Sequence, residues 1–282
     1  MSSQGKLFIV ATPLGNLADF SSRAIQILTF VDTLYAEDTR RSRILLEHYG
    51  IAKPIRSLHE HNENNRISEL LAILSNGKNV ALITDAGTPA ISDPGTIAVA
   101  KIAAAGFNVI PIPGPSALTT ALSAAGFYAG AAGVLFLGFL PTRGRIRRDS
   151  IKRVSTHNGV VVLFEAPHRL IDTIKELAES TPNRNVCLAR ELTKIHEEFY
   201  RGTLIELSAK LDKNIKGEIT LVLDAQSDAN SDSPEIEAID SMLNKCLDIG
   251  LSARDATAAV AAITSFSRRE VYTRCELIKN KK

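Results

Sequence analysis

From Lys6 onward, short β-branched runs alternate with segments of helical period, and that alternation decides what this chain can fold into. The runs KLFIVAT, TLYAED, PIRSLH, NVALITD and NVIPIP are separated by SSRAIQILTFV, SRILLEHYG, NRISELLAILSNG and GTIAVAKIAAAG. Strands that each need a helical crossover before the next strand predict a mostly parallel sheet covered by helices, an α/β fold. PGPSALTTALSAAGF then reads as a helix leading into a second unit. There the strands GVLFLGFL, GVVVLFEAP, NVCLARELT, EEFYRGT and GEITLVLDA have helices between only some of them, which predicts an α/β sheet of mixed direction.

These patterns divide the chain into an N-terminal α/β domain over residues 1–115 and a second α/β domain over 116–225. A polar linker follows at 226–235, within AQSDANSDSPE, and a helical appendage of two or three helices occupies 236–282. Two of the appendage's helix starts carry the capping-box spacing, Ser252 with Asp255 and Ser267 with Glu270. The appendage reads as a packing or dimerisation element or as a nucleic-acid contact, and two capped helices alone do not separate these.

At 282 residues, 45% hydrophobic and 23% charged, the chain buries a real core. No apolar run approaches the roughly 18 residues of a membrane span, and MSSQGKLFIVATPLG lacks a basic n-region and a cleavage site, so the protein reads as cytosolic with no membrane partner. Cys187, Cys246 and Cys275 are odd in number and never spaced as CxxC, which suggests neither a disulfide framework nor a zinc ribbon. A net charge of +2 identifies no polyanionic partner, so any such case rests on local clusters.

In an open α/β sheet ligands lie beyond the carboxyl ends of the strands. Four loops there are unusual: TPLGNL, AEDTRR, DAGTPAISDPG and PGPSAL. None matches GxGxxG or GxxxxGK followed by Ser or Thr, which disfavours a dinucleotide or a nucleoside triphosphate. Backbone donors and acceptors held by Pro13, Gly15, Gly87, Pro89, Pro94, Gly95, Pro113, Gly114 and Pro115 suit a small zwitterionic or cationic ligand instead.

Other chemistries find little support. His59 and His61 stand two apart with no third ligand at metal spacing, so they read as surface histidines at a strand end and no metal is expected. His168 beside Arg169 fits anion contact and simple capping equally. No GxSxG elbow is present, and Cys187 falls inside an apolar strand. One cluster favours nucleic acid: Arg143, Arg145, Arg147, Arg148, Lys152 and Arg153 share a helix whose Ile146, Ile151 and Val154 are expected to turn inward, leaving most cations free to neutralise phosphates. Arg40, Arg41 and Arg43 form a second basic site after a strand end.

VATPLGNLAD, AEDTRRSRILLEHYGI, LHEHNE, ITDAGTPAISDPG, IPGPSALTTALSAAG, FEAPHRL, ARELTKIHEE and KGEITLV together resemble the ribosomal RNA small-subunit methyltransferase I family of the tetrapyrrole methylase superfamily. The resemblance runs from about Lys6 to Asp224 and extends weakly into LSARDA and SRREVY. It implies a two-domain, class III methyltransferase fold binding S-adenosyl-L-methionine in the cleft between domains, and a homodimer. It also implies methylation of the ribose 2′-hydroxyl of a cytidine, position 1402, in the decoding region of 16S ribosomal RNA. Carried over residue by residue, the cofactor wall comprises Leu14, Gly15, Asp85, Gly87, Thr88, Pro89, Ile91, Ser92, Ser116 and Ala117, with Phe164 and Gly217 from the second domain.

Methyl transfer to a hydroxyl needs alignment and an acceptor for the hydroxyl proton. The candidate bases are Glu191, Asp38 and Glu165, with Glu191 ranked first because Arg190 and Lys194 flank it and keep it ionised. Arg40 and Arg190 are available for phosphates around the target nucleotide, alongside Arg143, Arg145, Arg147 and Arg148. A methylase of the same superfamily acting on another substrate and a noncatalytic RNA-binding module are the rival readings.

Overall fold

The computed structural model describes residues 4–211, 215–226, 234–264 and 266–280. The chain forms two compact units, Met1–Ala225 and Gln226–Lys282. The first unit holds two five-stranded sheets.

The first sheet is wholly parallel, in the order β3-β2-β4-β1-β5, with β1 at Leu7–Val10, β2 at Thr33–Ala36, β3 at Ile55–Ser57, β4 at Val80–Ile83 and β5 at Val109–Ile112. Its central strands β1 and β4 are buried at every residue, as a sheet covered on both faces requires. Alternation along β1 sends Phe8 and Val10 to one face, against Ala24 and Leu28 of α1 (Ser22–Phe30) and Leu46 of α2 (Thr39–His48). Leu7 and Ile9 go to the other, against Leu70 and Leu74 of α3 (Glu63–Ser75) and Ala98 and Ile102 of α4 (Thr96–Ala104). Because the strands are parallel, the strand-to-helix loops collect at the carboxyl end of the sheet, and the four unusual loops are among them.

The second sheet runs β6-β7-β10-β8-β9: β6 (Val134–Phe139) is parallel to β7 (Val160–Glu165), whereas β10 (Ile219–Leu223), β8 (Asn185–Arg190) and β9 (Glu198–Thr203) pair antiparallel. One face packs Val161, Leu163 and Leu221 against α6 (Gly144–Thr156) and α7 (Pro167–Ser180), with Leu204 and Leu207 of α8 (Leu204–Lys210) closing that core. The other packs Val162, Cys187 and Val222 against Ala121 and Ala125 of α5 (Ala117–Ala125). The change from one sheet to the other falls between β5 and α5. Leu14, from the loop after β1, belongs to this last core, so a residue of the first sheet's rim is anchored in the second sheet.

The second unit is a three-helix cluster, α9 (Pro234–Asp248), α10 (Ala253–Ile263) and α11 (Arg268–Asn280), around Leu243, Ala256, Val260, Val271 and Cys275. Arg274 pairs in bidentate fashion with Asp240 at 2.7 and 2.9 Å. Both caps form: Asp255 N donates to Ser252 Oγ at 3.2 Å, and Glu270 N donates to Ser267 Oγ at 3.3 Å. Most of the linker at 226–235 lies outside the described residues. Among those residues no helix is long and apolar enough to cross a membrane.

Candidate active site

Three strand-end loops of the first sheet are laced together. Thr12, after β1, bridges Gly87 through two backbone hydrogen bonds of 2.8 and 3.0 Å, and its buried hydroxyl donates to Thr84 O at 3.0 Å. Thr88 Oγ1 donates to Pro115 O at 3.0 Å, tying the loop after β4 to that after β5. The β4 loop needs this support, because Ala90 (φ 66°) and Ser92 (φ 64°) are left-handed without being glycine, at a cost of about 1–2 kcal/mol each. A loop held in that state against its own preference is preorganised.

The facing wall comes from the second sheet. Phe164 at the end of β7 stacks edge-on against Phe136 and Phe139, with centroids 5.1 and 5.7 Å apart. Where β6 bulges, Gly138 has φ 60°, and a Cβ there would lie 2.4 Å from Ser92 Oγ, so only glycine lets the strand approach the β4 loop this closely. Between the walls is a cavity of 410 Å³, lined by Leu14, Ile91, Ala117 and Phe164 on its apolar side and by Glu37, Asp85, Asp93, Glu165, Glu218 and Arg41 on its charged side.

The charges are individually arranged. Asp85 accepts from Asp38 N at 3.2 Å and from Arg41 at 3.0 Å. The Thr84 hydroxyl donates to Glu37 Oε2 at 3.1 Å. Burial, reinforced by the negative charge of Glu37, pushes the Asp93 carboxyl up to about 7, although hydrogen bonding from Thr84 opposes the shift. On the opposite side Glu191 has φ 52° and its carboxylate is a clamp: Oε1 accepts from Glu218 N at 2.9 Å and from Lys194 Nζ at 2.8 Å. The Lys194 hydrogen bond is the larger cause of the lowered Glu191 pKa, ahead of the Glu218 backbone donor. The same turn reaches the first sheet, since Thr193 Oγ1 accepts from Asn16 N at 3.1 Å.

Of the residues carried over from the resemblance, Leu14, Asp85, Ile91, Ser92, Ala117, Phe164 and Gly217 line the cavity. Gly87, Thr88 and Pro89 stand behind that lining as the braced loop, Ser116 caps α5, and Gly15 packs so closely on Lys194 that a Cβ would sit 2.2 Å from its Cγ. Among the three carboxylates weighed as bases, only Glu165 lines the cavity, and both its oxygens are engaged, by Ala166 N at 2.8 Å and Thr173 Oγ1 at 2.6 Å. Asp38 is the N-cap of α2, and its bonds to the Arg40 side chain and backbone hold it well below the usual carboxylate range. Glu37 lies in AEDTRR and Asp93 in DAGTPAISDPG, and neither is marked as a site residue by the sequence. Their neighbours gave the available signal: two acids, Glu37 and Asp38, side by side at one strand end, and an acid held before proline in the β4 loop.

The cations separate into two groups. Arg143, Arg145, Arg148, Lys152 and Arg153 are exposed along α6, Arg145 lying 3.6 Å from Asp149. Arg147 requires a correction to the expected phosphate face. It is 7% exposed and its fork is consumed by Glu176, Thr173 Oγ1 and Pro141 O, while Ile146 is 70% exposed and not turned inward. Helix geometry is the reason: 147, 151 and 154 share one face, and 146 lies about 100° away. Arg40 is exposed beside Asp38, and Arg190 donates to Glu198 and to Lys216 O. His168 is exposed on the first turn of α7, whereas Arg169 donates to Leu140 O at 2.6 Å and closes the end of β6.

Residues 6–208 match the family model for Tetrapyrrole (Corrin/Porphyrin) Methylases. A ribosomal RNA small subunit methyltransferase I of Thermotoga maritima is 46% identical over 220 residues, 78% of this chain and 98% of the relative. One of Synechocystis is 41% identical over 95% of this chain and 96% of the relative. Among solved structures, diphthine synthase superposes with a TM-score of 0.61 at 18% identity, covering 78% of this chain and 90% of that one. Uroporphyrin-III C-methyltransferase from Thermus thermophilus, complexed with S-adenosylhomocysteine, gives 0.57 at 15% identity, over 78% and 97%. The chain belongs to the ribosomal RNA small-subunit methyltransferase I family, within the tetrapyrrole methylases.

Proposed function

We propose that this chain transfers the methyl group of S-adenosylmethionine to ribosomal RNA of the small subunit, at the ribose 2′-hydroxyl of cytidine 1402 in 16S ribosomal RNA, working as a homodimer in the cytoplasm. The names of relatives up to 46% identical support the substrate class, and one structural neighbour sharing the fold was solved with the demethylated cofactor. The observation that carries the reading is the cavity's chemistry: an aromatic and aliphatic wall opposite an excess of carboxylates, with no glycine-rich phosphate cradle. Leu14, Ile91, Ala117 and Phe164 suit an adenine and a thioether chain, and Asp85 and Glu218 suit an ammonium and a sulfonium charge.

When bound, S-adenosylmethionine supplies an electrophilic methyl group on a cationic sulfur. The chain's contribution is positioning, which is worth roughly 7–11 kcal/mol when reacting atoms are held in line. The braced loop Asp85–Gly95 gives one rigid wall, and Glu191, holding Glu218 N, fixes the other beside Gly217. Glu165 and Asp38, whose oxygens are occupied, act as positioning groups for the α7 start and the α2 start. Exposed Arg143, Arg145 and Arg148 engage RNA phosphates, with Arg40 nearer the cavity.

The test is methylation of unmodified 16S ribosomal RNA and of assembled small subunits by the purified chain with labelled S-adenosylmethionine, mapped by mass spectrometry. A single ribose methyl on the decoding-region cytidine is the expected product. Label on a base, on a protein or nowhere refutes the assignment, and calorimetry without cofactor heat refutes the enzyme reading altogether.

A further inference from the structure

Beside the cofactor cavity lies a second groove, of 510 Å³, between the segment leading into α3 and the start of α4. The two spaces share Glu37, Ser92 and Asp93 as a common wall. A group in the second groove faces the first space across these three side chains. The groove's far side carries His59 and His61, whose rings lie 6.0 Å apart at 69°, and the exposed side chain of Ile97. His59 Nδ1 is buried without a partner among the described residues. Imidazole faces and an aliphatic side chain receive a nucleobase, and Glu60 at the same rim offers an acceptor of the kind that reads a cytosine amine.

We propose that this groove seats the acceptor nucleotide and that Asp93, on the wall shared with the cofactor cavity, takes the proton of its ribose hydroxyl. The inference rests on the methyl-transfer reading above. Asp93 is partly buried and fixed between left-handed Ser92 and Pro94, the latter's carbonyl accepting from Ala90 N at 3.3 Å. The Thr84 hydroxyl lies within hydrogen-bonding reach of both Asp93 and Glu37. In the step, the ribose oxygen forms the new bond to the methyl carbon, the sulfur keeps the electron pair of the broken C–S bond and leaves as a neutral thioether, and the O–H proton passes to Asp93 and then to water.

An acceptor that titrates near neutrality suits this role, and burial together with the charge of Glu37 brings Asp93 there. Its charged surroundings are Glu37 from the end of β2, Asp85 from its own loop, Glu218 from the approach to β10 and Arg41 from α2. From the groove side it faces His59, Glu60, His61 and Glu63, of which Glu63 is already engaged by Ala98 N at 2.7 Å.

The experiment has two arms on the full chain. Carbon-13 NMR of labelled aspartate, without methyl donor, is expected to show Asp93 titrating near 7 and moving lower in Glu37→Gln; cytidine addition is expected to shift the His59 and His61 signals. Single-turnover methyl transfer at saturating cofactor and RNA is expected to fall about 10²–10⁴-fold in Asp93→Asn, and its pH inflection should follow the NMR value. Ile97→Trp should raise the RNA KM about tenfold or more with cofactor affinity unchanged. An Asp93 that titrates like an exposed carboxylate, histidine signals unmoved by cytidine, or Asp93→Asn turning over at the wild-type rate overturns the proposal while leaving the methyltransferase reading intact. A wild-type chain that binds no S-adenosylmethionine removes both.

Discussion

Replacing Glu191 separates two roles that its position allows, proton acceptor and clamp. Its Oε1 receives two donors, Glu218 N at 2.9 Å and Lys194 Nζ at 2.8 Å, and Gly217 packs so tightly that a Cβ would lie 2.5 Å from Glu191 Cγ. Glu191→Gln keeps an oxygen for the backbone donor and loses the ion pair; with both partners largely covered, that loss is about 0.5–1.5 kcal/mol. If all of it is felt at the cofactor wall, the S-adenosylmethionine Kd rises about 2- to 13-fold. Glu191→Ala also removes the acceptor of Glu218 N, an exposed bond with a net worth of about 0.5–1.5 kcal/mol, for a total near 1–3 kcal/mol and a Kd increase of about 5- to 160-fold. Calorimetry gives the Kd, and single-turnover transfer at saturating cofactor and RNA gives the chemical step, which should stay within about tenfold of wild type in the Gln variant. The sign of the pH effect follows from the same contacts. The folded pKa lies below the ordinary value of 4.5, so the clamp's contribution is complete above 4.5 and is lost as pH falls through the lowered folded value. A Gln variant with unchanged Kd but a rate lowered by about 10²–10⁴ would make Glu191 the base and refute the clamp.

Arg184→Ala should destabilise the first unit by about 3–5 kcal/mol in urea unfolding, because this 6%-exposed guanidinium donates to the carbonyls of Asp224, Val154, His157 and Gly159, at 2.7 to 3.2 Å. A change under about 1 kcal/mol would mean that water replaces it. Gly87→Asp should abolish cofactor heat while circular dichroism stays native, since φ is 82° and a Cβ would meet Leu14 Cδ2 at 3.3 Å. Replacing Arg143, Arg145 and Arg148 by Ser should lessen the slope of log K against log salt for RNA binding by about 2 without altering cofactor affinity. An unchanged slope would leave them as solvated side chains.

The alternation of strands and helices was legible because each segment carries its own period. The braced loop was legible as unusual, since its glycines and prolines announce special backbone. What could not be read was which residues face the cavity, because that depends on how the second sheet meets the first. Phe139 and Glu218 become lining residues through that encounter, and Gly138 shows its reason only when Ser92 lies opposite. Arg147 illustrates the limit from the other side. An arginine in a basic run reads as solvent-facing, but 147 occupies the inward stripe with Ile151 and Val154, and Glu176 on α7 makes its burial tolerable. The capping aspartate was equally hidden: AEDTRR reads as a loop until α2 is seen to begin at Thr39, which turns Asp38 into an N-cap.

The small net charge conceals a division of labour. Cations are exposed along α6, where Arg143, Arg148 and Lys152 border a groove of 850 Å³, whereas the cofactor cavity carries five carboxylates and a single arginine among the residues that line it. On the proposed reading an RNA backbone is drawn to the first region and repelled from the second, so that only a nucleoside turned away from its phosphates would reach the methyl donor. The same carboxylates favour a sulfonium over the neutral thioether that remains after transfer, because the attraction disappears with the charge. On that reading, substrate selection and product release would follow from one electrostatic arrangement. Neutralising Glu37 and Asp85 as Gln and Asn should weaken S-adenosylmethionine binding more than S-adenosylhomocysteine binding. Equal losses for both would show that the carboxylates hold the amino-acid end and do not sense the sulfur.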